Sequence, residues 1–92
     1  MLNQVVLVGK IFKIKNIKDG ALLTVKIPGY ENNEHDYIKT MLRGKIAENT
    51  LNYCKEEDVI GIKGRLICND ETENKIEIEV DKLTFLSTYK KD

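Results

Sequence analysis

The sequence predicts an all-β domain, a small closed barrel of five strands with one short helix between the third and the fourth. Three observations carry this. Apolar and polar residues alternate in five stretches, the pattern of strands with one face on a core. Turn signals separate those stretches: Lys18-Asp19-Gly20, Pro28-Gly29, and the polar runs 28–35 and 69–74. After Gly44 the apolar period lengthens, with Ile46, Ala47, Leu51 and Cys54 falling on one face of a helix.

The first strand, Leu2 to Lys15, has two characters. Val5, Val6, Leu7 and Val8 are apolar on both faces, as expected of a strand covered by the core on one side and by a partner subunit on the other. Gly9 suits a bend or bulge that lets one strand serve two sheet regions. Beyond it, Lys10, Phe12, Lys13 and Lys15 form a basic, partly aromatic edge. Taken singly, those lysines are what any solvated strand face carries. In the second strand, Ala21 to Ile27, Leu23, Val25 and Ile27 alternate with Leu22, Thr24 and Lys26. The loop from Pro28 to His35 follows, with Tyr30 placed to cover the barrel wall or to stack a base.

In the third strand Ile38, Thr40 and Leu42 face inward, while Tyr37, Lys39, Met41 and Arg43 face out. Aromatic rings stack on bases and cationic groups neutralise phosphates, so this outer face is what a platform for single-stranded nucleic acid requires. The helix is expected over about Ile46 to Lys55, with Leu51 packed, Asn49 and Asn52 in water, and Tyr53 placed to plug the barrel. Lys55 to Asp58 reads as a polar turn. The fourth strand, Val59 to Cys68, puts Ile60, Ile62 and Leu66 on one face, with Lys63 and Arg65 extending the cationic track of Lys39 and Arg43 on the other. Gly61 and Gly64 permit strong coiling. An acidic loop, Asn69 to Asn74, leads to the fifth strand, Lys75 to Phe85, with Ile76, Ile78 and Val80 inward and Glu77, Glu79 and Asp81 outward. Leu83 and Phe85 close the barrel bottom or an interface. The domain is taken as 1–87, and 88–92 as a frayed tail. Five strands in this order, with the helix between the third and fourth, is the arrangement of an OB-fold, a Greek-key barrel whose strand face and loops often bind oligonucleotides.

The totals narrow the function. The chain has 92 residues, enough for one domain that gains stability from oligomerisation. Its 15 basic and 15 acidic residues cancel, so bulk charge does not hold it to nucleic acid, and any basic surface is local. Charge is segregated: Lys10, Lys13, Lys15, Lys18 and Lys26 come early, whereas Asp70, Glu71, Glu73, Glu77, Glu79 and Asp81 come late. Cys54 and Cys68 form no C-x-x-C and follow no apolar leader, so both read as reduced, half-buried thiols in a cytoplasmic protein. No apolar run approaches the ~18 residues that span a membrane. His35 stands without a second ligand at metal spacing, so no metal, cofactor or catalytic residue is expected. Glu77 and Glu79 lie on an outer strand face without a nucleophile or base beside them, which makes an enzyme the least supported class.

Four segments carry a resemblance: the opening M-L-N-Q-V-V-L-V-G-K-I, the central D-Y-I-K-T-M-L-R-G-K-I-A-E-N, Leu51-Asn52-Tyr53, and V-I-G-I-K-G-R-L. Together, in order and spacing, they resemble the bacterial single-stranded DNA-binding protein family over Met1 to Ser87. The resemblance implies a barrel assembled into homodimers or homotetramers, partly through the first strand at Val5, Val6, Leu7 and Val8. It also implies single-stranded DNA wrapped on basic and aromatic surface. Tyr37 stands where the family usually stacks a tryptophan, Lys39 and Lys45 match its basic positions, and Arg43 replaces an aromatic while keeping a planar cation that can stack. The candidate binding residues are Lys10, Phe12, Lys26, Tyr37, Lys39, Arg43, Lys45, Lys63 and Arg65. The sequence departs from the family in having no tryptophan, in placing Asn69, Asp70 and Glu71 where relatives carry arginines and an aromatic, and in lacking within these 92 residues the linker and acidic tip. Weak, salt-sensitive binding is the expectation, in DNA replication, repair or transfer. The alternative is an OB-fold interaction module of the primosome-accessory type that docks a replication protein and binds DNA weakly or not at all. RNA binding stays open, because the platform does not by itself distinguish the sugars.

Overall fold

In a computed structural model the chain is described over residues 2–29, 34–69 and 75–87. The described residues form β1 (Val5–Ile17), β2 (Gly20–Pro28), β3 (His35–Arg43), α1 (Gly44–Tyr53), β4 (Val59–Asn69) and β5 (Lys75–Ser87). The strands close into a barrel in the order β1-β2-β3-β5-β4. Neighbours are antiparallel except β3 and β5, which run parallel through Thr40↔Ile78 and Met41↔Glu79. This is the OB-fold that the alternation predicts. Tyr30, Asp70, Glu71, Glu73 and the tail 88–92 lie outside the described residues.

β1 is shared between two partners. Its first half pairs with β4 from Val5↔Gly64 to Lys10↔Val59, and its second half pairs with β2 from Lys10↔Lys26 to Ile17↔Gly20. Gly9 sits at the changeover, but the bulge expected there lies further on, between Ile11 and Lys13, with Phe12 as the extra residue. Gly9 answers to a different demand: a Cβ there would lie 2.6 Å from the Lys26 carbonyl oxygen and 2.7 Å from Ile27 Cγ2. At the N-terminal end the Asn3 side chain extends the pairing, its amide donating to the Leu66 carbonyl at 2.8 Å while its Oδ1 accepts from the Leu66 N–H at 3.0 Å.

The core gathers the inward positions of all strands: Ile11, Leu23, Val25, Leu42, Ile60, Ile62 and Val80, with Ala21 and Ala47. Thr40 is buried among them, and its hydroxyl donates to the Leu23 carbonyl at 3.0 Å, so the polar atom is not left unpaired. Ile11, next to the bulge, takes its hydrogen bonds from the 55–58 turn: its N–H donates to the Asp58 carbonyl at 2.9 Å and its carbonyl accepts from Glu57 N–H at 2.8 Å. The polar turn at Lys55 to Asp58 is present, with Asp58 buried and its Oδ2 accepting from the Lys55 N–H at 2.9 Å.

The helix starts two residues earlier than expected, at Gly44, whose φ of +59° marks the switch from strand to helix. A side chain there would be strained in a left-handed backbone, although nothing crowds it. Ala47 and Thr50 are its buried residues, whereas Leu51, expected to pack, is exposed at the edge of the stripe. Tyr53 does not plug the barrel; it is 79% exposed. Two further expectations fail on the far part of the β4–β5 hairpin. Leu66 and Ile76 keep the inward parity of their strands yet are exposed, because the strands run on beyond the buried core, which ends at Gly64 on β4 and Val80 on β5. Cys54 is half-buried as expected, but Cys68 is exposed. Burial first, and the Asp58 carboxylate second, push the Cys54 thiol above its ordinary value of 9.0.

Candidate nucleic-acid interface

Residues opposite one another in a ladder point to the same face, so the registers build the outer surface directly. Across β1, β2 and β3 runs a row Lys10–Lys26–Tyr37, then a row Lys13–Thr24–Lys39, then Lys15–Leu22–Met41. The bulge makes this possible. It restarts the alternation so that Lys13 and Lys15 are exposed while Ile14 turns toward the core. The bulged Phe12 meets Tyr37 edge-to-face, with ring centroids 4.7 Å apart and planes at 66°. Such a pair stabilises by about 0.5–1.5 kcal/mol beyond its buried area. Even so, Phe12 remains 45% and Tyr37 52% exposed, so ring surface is left for a ligand. Sequence reasoning named both rings but not their contact. The irregular spacing of Ile11 and Ile14 was the signal that could have revealed it.

Arg43 and Lys45 flank the start of α1 and are both exposed. A cation in the first helical turn opposes the positive end of the helix dipole, a cost that a bound anion would offset. Arg65 and Lys63 fall elsewhere. Met41 opposes Glu79 across β5, and Glu79 opposes Arg65, whose guanidinium it holds at 3.5 Å. The continuous cationic track expected from β3 to β4 is therefore interrupted by a carboxylate. Lys63 opposes Val6 on one side and Lys82 on the other, which places it on a different face.

That other face belongs to the first half of β1. Val6 is 66% and Val8 57% exposed, and with Gly61, Lys63, Lys82 and Thr84 they line a shallow groove over β1, β4 and β5. Leu86 reaches within 3.7 Å of where a side chain of Gly61 would begin. Val5 and Leu7 alternate with these residues, half-buried, and Leu7 packs against the core.

A closed five-stranded barrel with its helix between β3 and β4 defines the class of the chain as an OB-fold. No family model matches the chain. It is 33% identical over 76 residues to a single-stranded DNA-binding protein of Clostridium tetani, an alignment that takes in 71% of this chain and 52% of that protein. The chain thus spans about half the length of that curated relative. It is 30% identical to a small single-stranded DNA binding protein from Mycoplasma pneumoniae of known crystal structure, with a TM-score of 0.65 over 90% of this chain and 92% of that one. The SSB domain of a Synechococcus protein superposes with a TM-score of 0.71 over 91% and 96% of the two chains, at 19% identity, which bears on the fold alone. The chain belongs to the bacterial single-stranded DNA-binding protein family.

Proposed function

We propose that this chain binds single-stranded DNA without catalysing a reaction, by laying the strand across the outer face of β1, β2 and β3. The observation that carries the reading is the half-exposed Phe12–Tyr37 pair among Lys10, Lys13, Lys26 and Lys39. The rings stack bases, the lysines neutralise phosphates, and Arg43 and Lys45 continue the path toward the start of α1. Lys63 and Arg65 contribute less, since one lies on the other face and the other is held by Glu79. Copies of the chain associate as dimers or tetramers through the Val6 and Val8 face. The work is done in the cytoplasm, in replication, repair or transfer of DNA, with no metal or cofactor. Among the described residues no helix is long and apolar enough to cross a membrane.

The test is a fluorescence-anisotropy titration of labelled oligo-dT at low and moderate salt, with duplex DNA and oligo-rU as competitors. Binding should weaken as salt rises, because each neutralised phosphate adds about −0.7 to the slope of log K against log salt for single strands. Duplex DNA should compete poorly, and oligo-rU reports whether RNA is also taken. Absence of binding at low salt would overturn the platform. The interaction-module alternative would then lead, supported by the carboxylates of β5, where Glu79 already engages a basic side chain.

A further inference from the structure

The parallel contact between β3 and β5 is short, Thr40↔Ile78 and Met41↔Glu79, whereas β3 pairs with β2 along its whole length and β5 pairs with β4 back to Lys75. Before Thr40 and Ile78 the two strands therefore diverge. The fork opens a cleft of about 360 Å³ lined by Leu22, Lys39, Thr40, Met41, Ile76 and Glu77. Its character is apolar, with Leu22 and Met41 on one wall and Ile76 on the other, and Ile76 is 70% exposed. Ile76 was expected inside the barrel; instead it stands over an open cleft.

We propose that this fork is a slot for a single nucleobase of the bound strand, gripped between Met41 and Ile76. The proposal rests on the DNA-binding reading and adds to it a subsite away from the Phe12–Tyr37 pair. Three features point to a base. The cleft is continuous with the basic face, because Lys39 belongs both to the Lys13–Thr24–Lys39 row and to the cleft lining. A phosphate neutralised by Lys39 would leave its own base at the mouth of the fork. Tyr37 and Met41 lie on the same face of β3, four residues and roughly 13 Å apart, so a strand stacked on the ring and following β3 runs into the slot. The walls suit a flat, polarisable ring: two aliphatic side chains and a thioether, with a few polar groups at the edges.

The experiment uses the whole chain with methyl-labelled Met, Ile and Leu and ring-labelled Tyr, followed by NMR as oligo-dT is added, and repeated with a strand of equal length made of abasic sites. The expected result is that the Met41, Ile76 and Leu22 methyls move upfield under the ring current of a base with oligo-dT and stay in place with the abasic strand. Ile76→Ala, at an exposed position that the fold does not need, should weaken oligo-dT binding by about 5-fold or more, the lower bound for losing one stacked base. Affinity for the abasic strand should not change. The slot is overturned if the Tyr37 ring responds to oligo-dT while the Met41 and Ile76 methyls do not, an outcome that leaves the platform intact. Equal shifts with the abasic strand overturn it too, since the fork would then be sensing the backbone. Shifts that follow protein concentration without DNA would assign the fork to a second copy of the chain. If no resonance of either region responds to any single strand, the binding reading itself has failed and the slot with it.

Discussion

The two halves of β1 belong to one continuous strand yet present opposite chemistries. From Val5 to Gly9 it pairs with β4 and turns Val6 and Val8 outward; from Lys10 to Ile17 it pairs with β2 and turns lysines outward around Phe12. Both halves send apolar side chains into the same core, Leu7 in the first and Ile11 and Ile14 in the second. The difference therefore lies only in the outward residues and in which neighbour extends the sheet. A strand shared by two sheet regions lets a domain of this size carry an exposed apolar face and a basic face side by side. The two faces do not compete for surface.

The division can be broken from either side. The largest effect is expected from Val6→Asp combined with Val8→Asp. Each carboxylate desolvated in an apolar contact costs several kcal/mol, so self-association should weaken roughly a thousand-fold or more, to a monomer by sedimentation velocity at micromolar concentration. Because both side chains are already largely in water within one chain, the melting temperature of the monomer and its affinity for a short oligonucleotide should hold. Next comes the mirror experiment. Phe12→Ala with Tyr37→Ala should lower affinity for oligo-dT by about 5- to 150-fold for each stacked base lost, while the sedimentation coefficient stays that of the parent. If either double variant disturbs both properties, the faces are not independent.

A third variant strikes the joint. Gly9→Ala would force a methyl against the Lys26 carbonyl and Ile27, with a cost of about 1–3 kcal/mol in denaturant unfolding and damage to both faces together. The smallest effect concerns a group on neither face. The Cys54 thiol, held protonated by burial and by Asp58, ionises in the unfolded chain near 9.0 but later in the folded one. Its contribution is complete below 9.0 and is lost as pH rises above that value, since the unfolded state then sheds a proton that the fold retains. Unfolding midpoints between about pH 8 and about pH 10 should decline more steeply for the parent than for Cys54→Ala, with DNA affinity equal in both.

Much of this was legible from residue patterns, and the failures have common physical causes. The alternation in β3 assigned Thr40 and Leu42 to the core and Tyr37, Lys39 and Arg43 to the surface correctly, because the core lies beneath the end of the strand where it meets both β2 and β5. Leu66 and Ile76 have the same parity as core residues, but parity says which side a residue takes and not whether the core still extends beneath it. Leu51 is expected to pack because it is apolar, yet the stripe through Ile46 and Ala47 passes through Thr50 at the helical period, and Thr50 is the residue buried there. Asp58 looked like a turn carboxylate; its turn is held by the backbone of Ile11 on the neighbouring β1, remote in sequence, which no local window contains. The Phe12–Tyr37 contact also depends on a register between distant strands, so the two rings were visible and their meeting was not.

The bulge at Phe12 has a consequence at the level of the gene. Ile11 faces in, Lys13 faces out and Ile14 faces in, which is an unbroken alternation once the extra residue is left out of the count. An in-frame loss of that one codon would leave every other side chain of the strand on its present side, and the lysine rows with it. Only an aromatic ring would disappear. One of the two rings of the proposed platform can thus be gained or lost in a single mutational event, while Tyr37 and the lysines stand at regular ladder positions and can change only one substitution at a time.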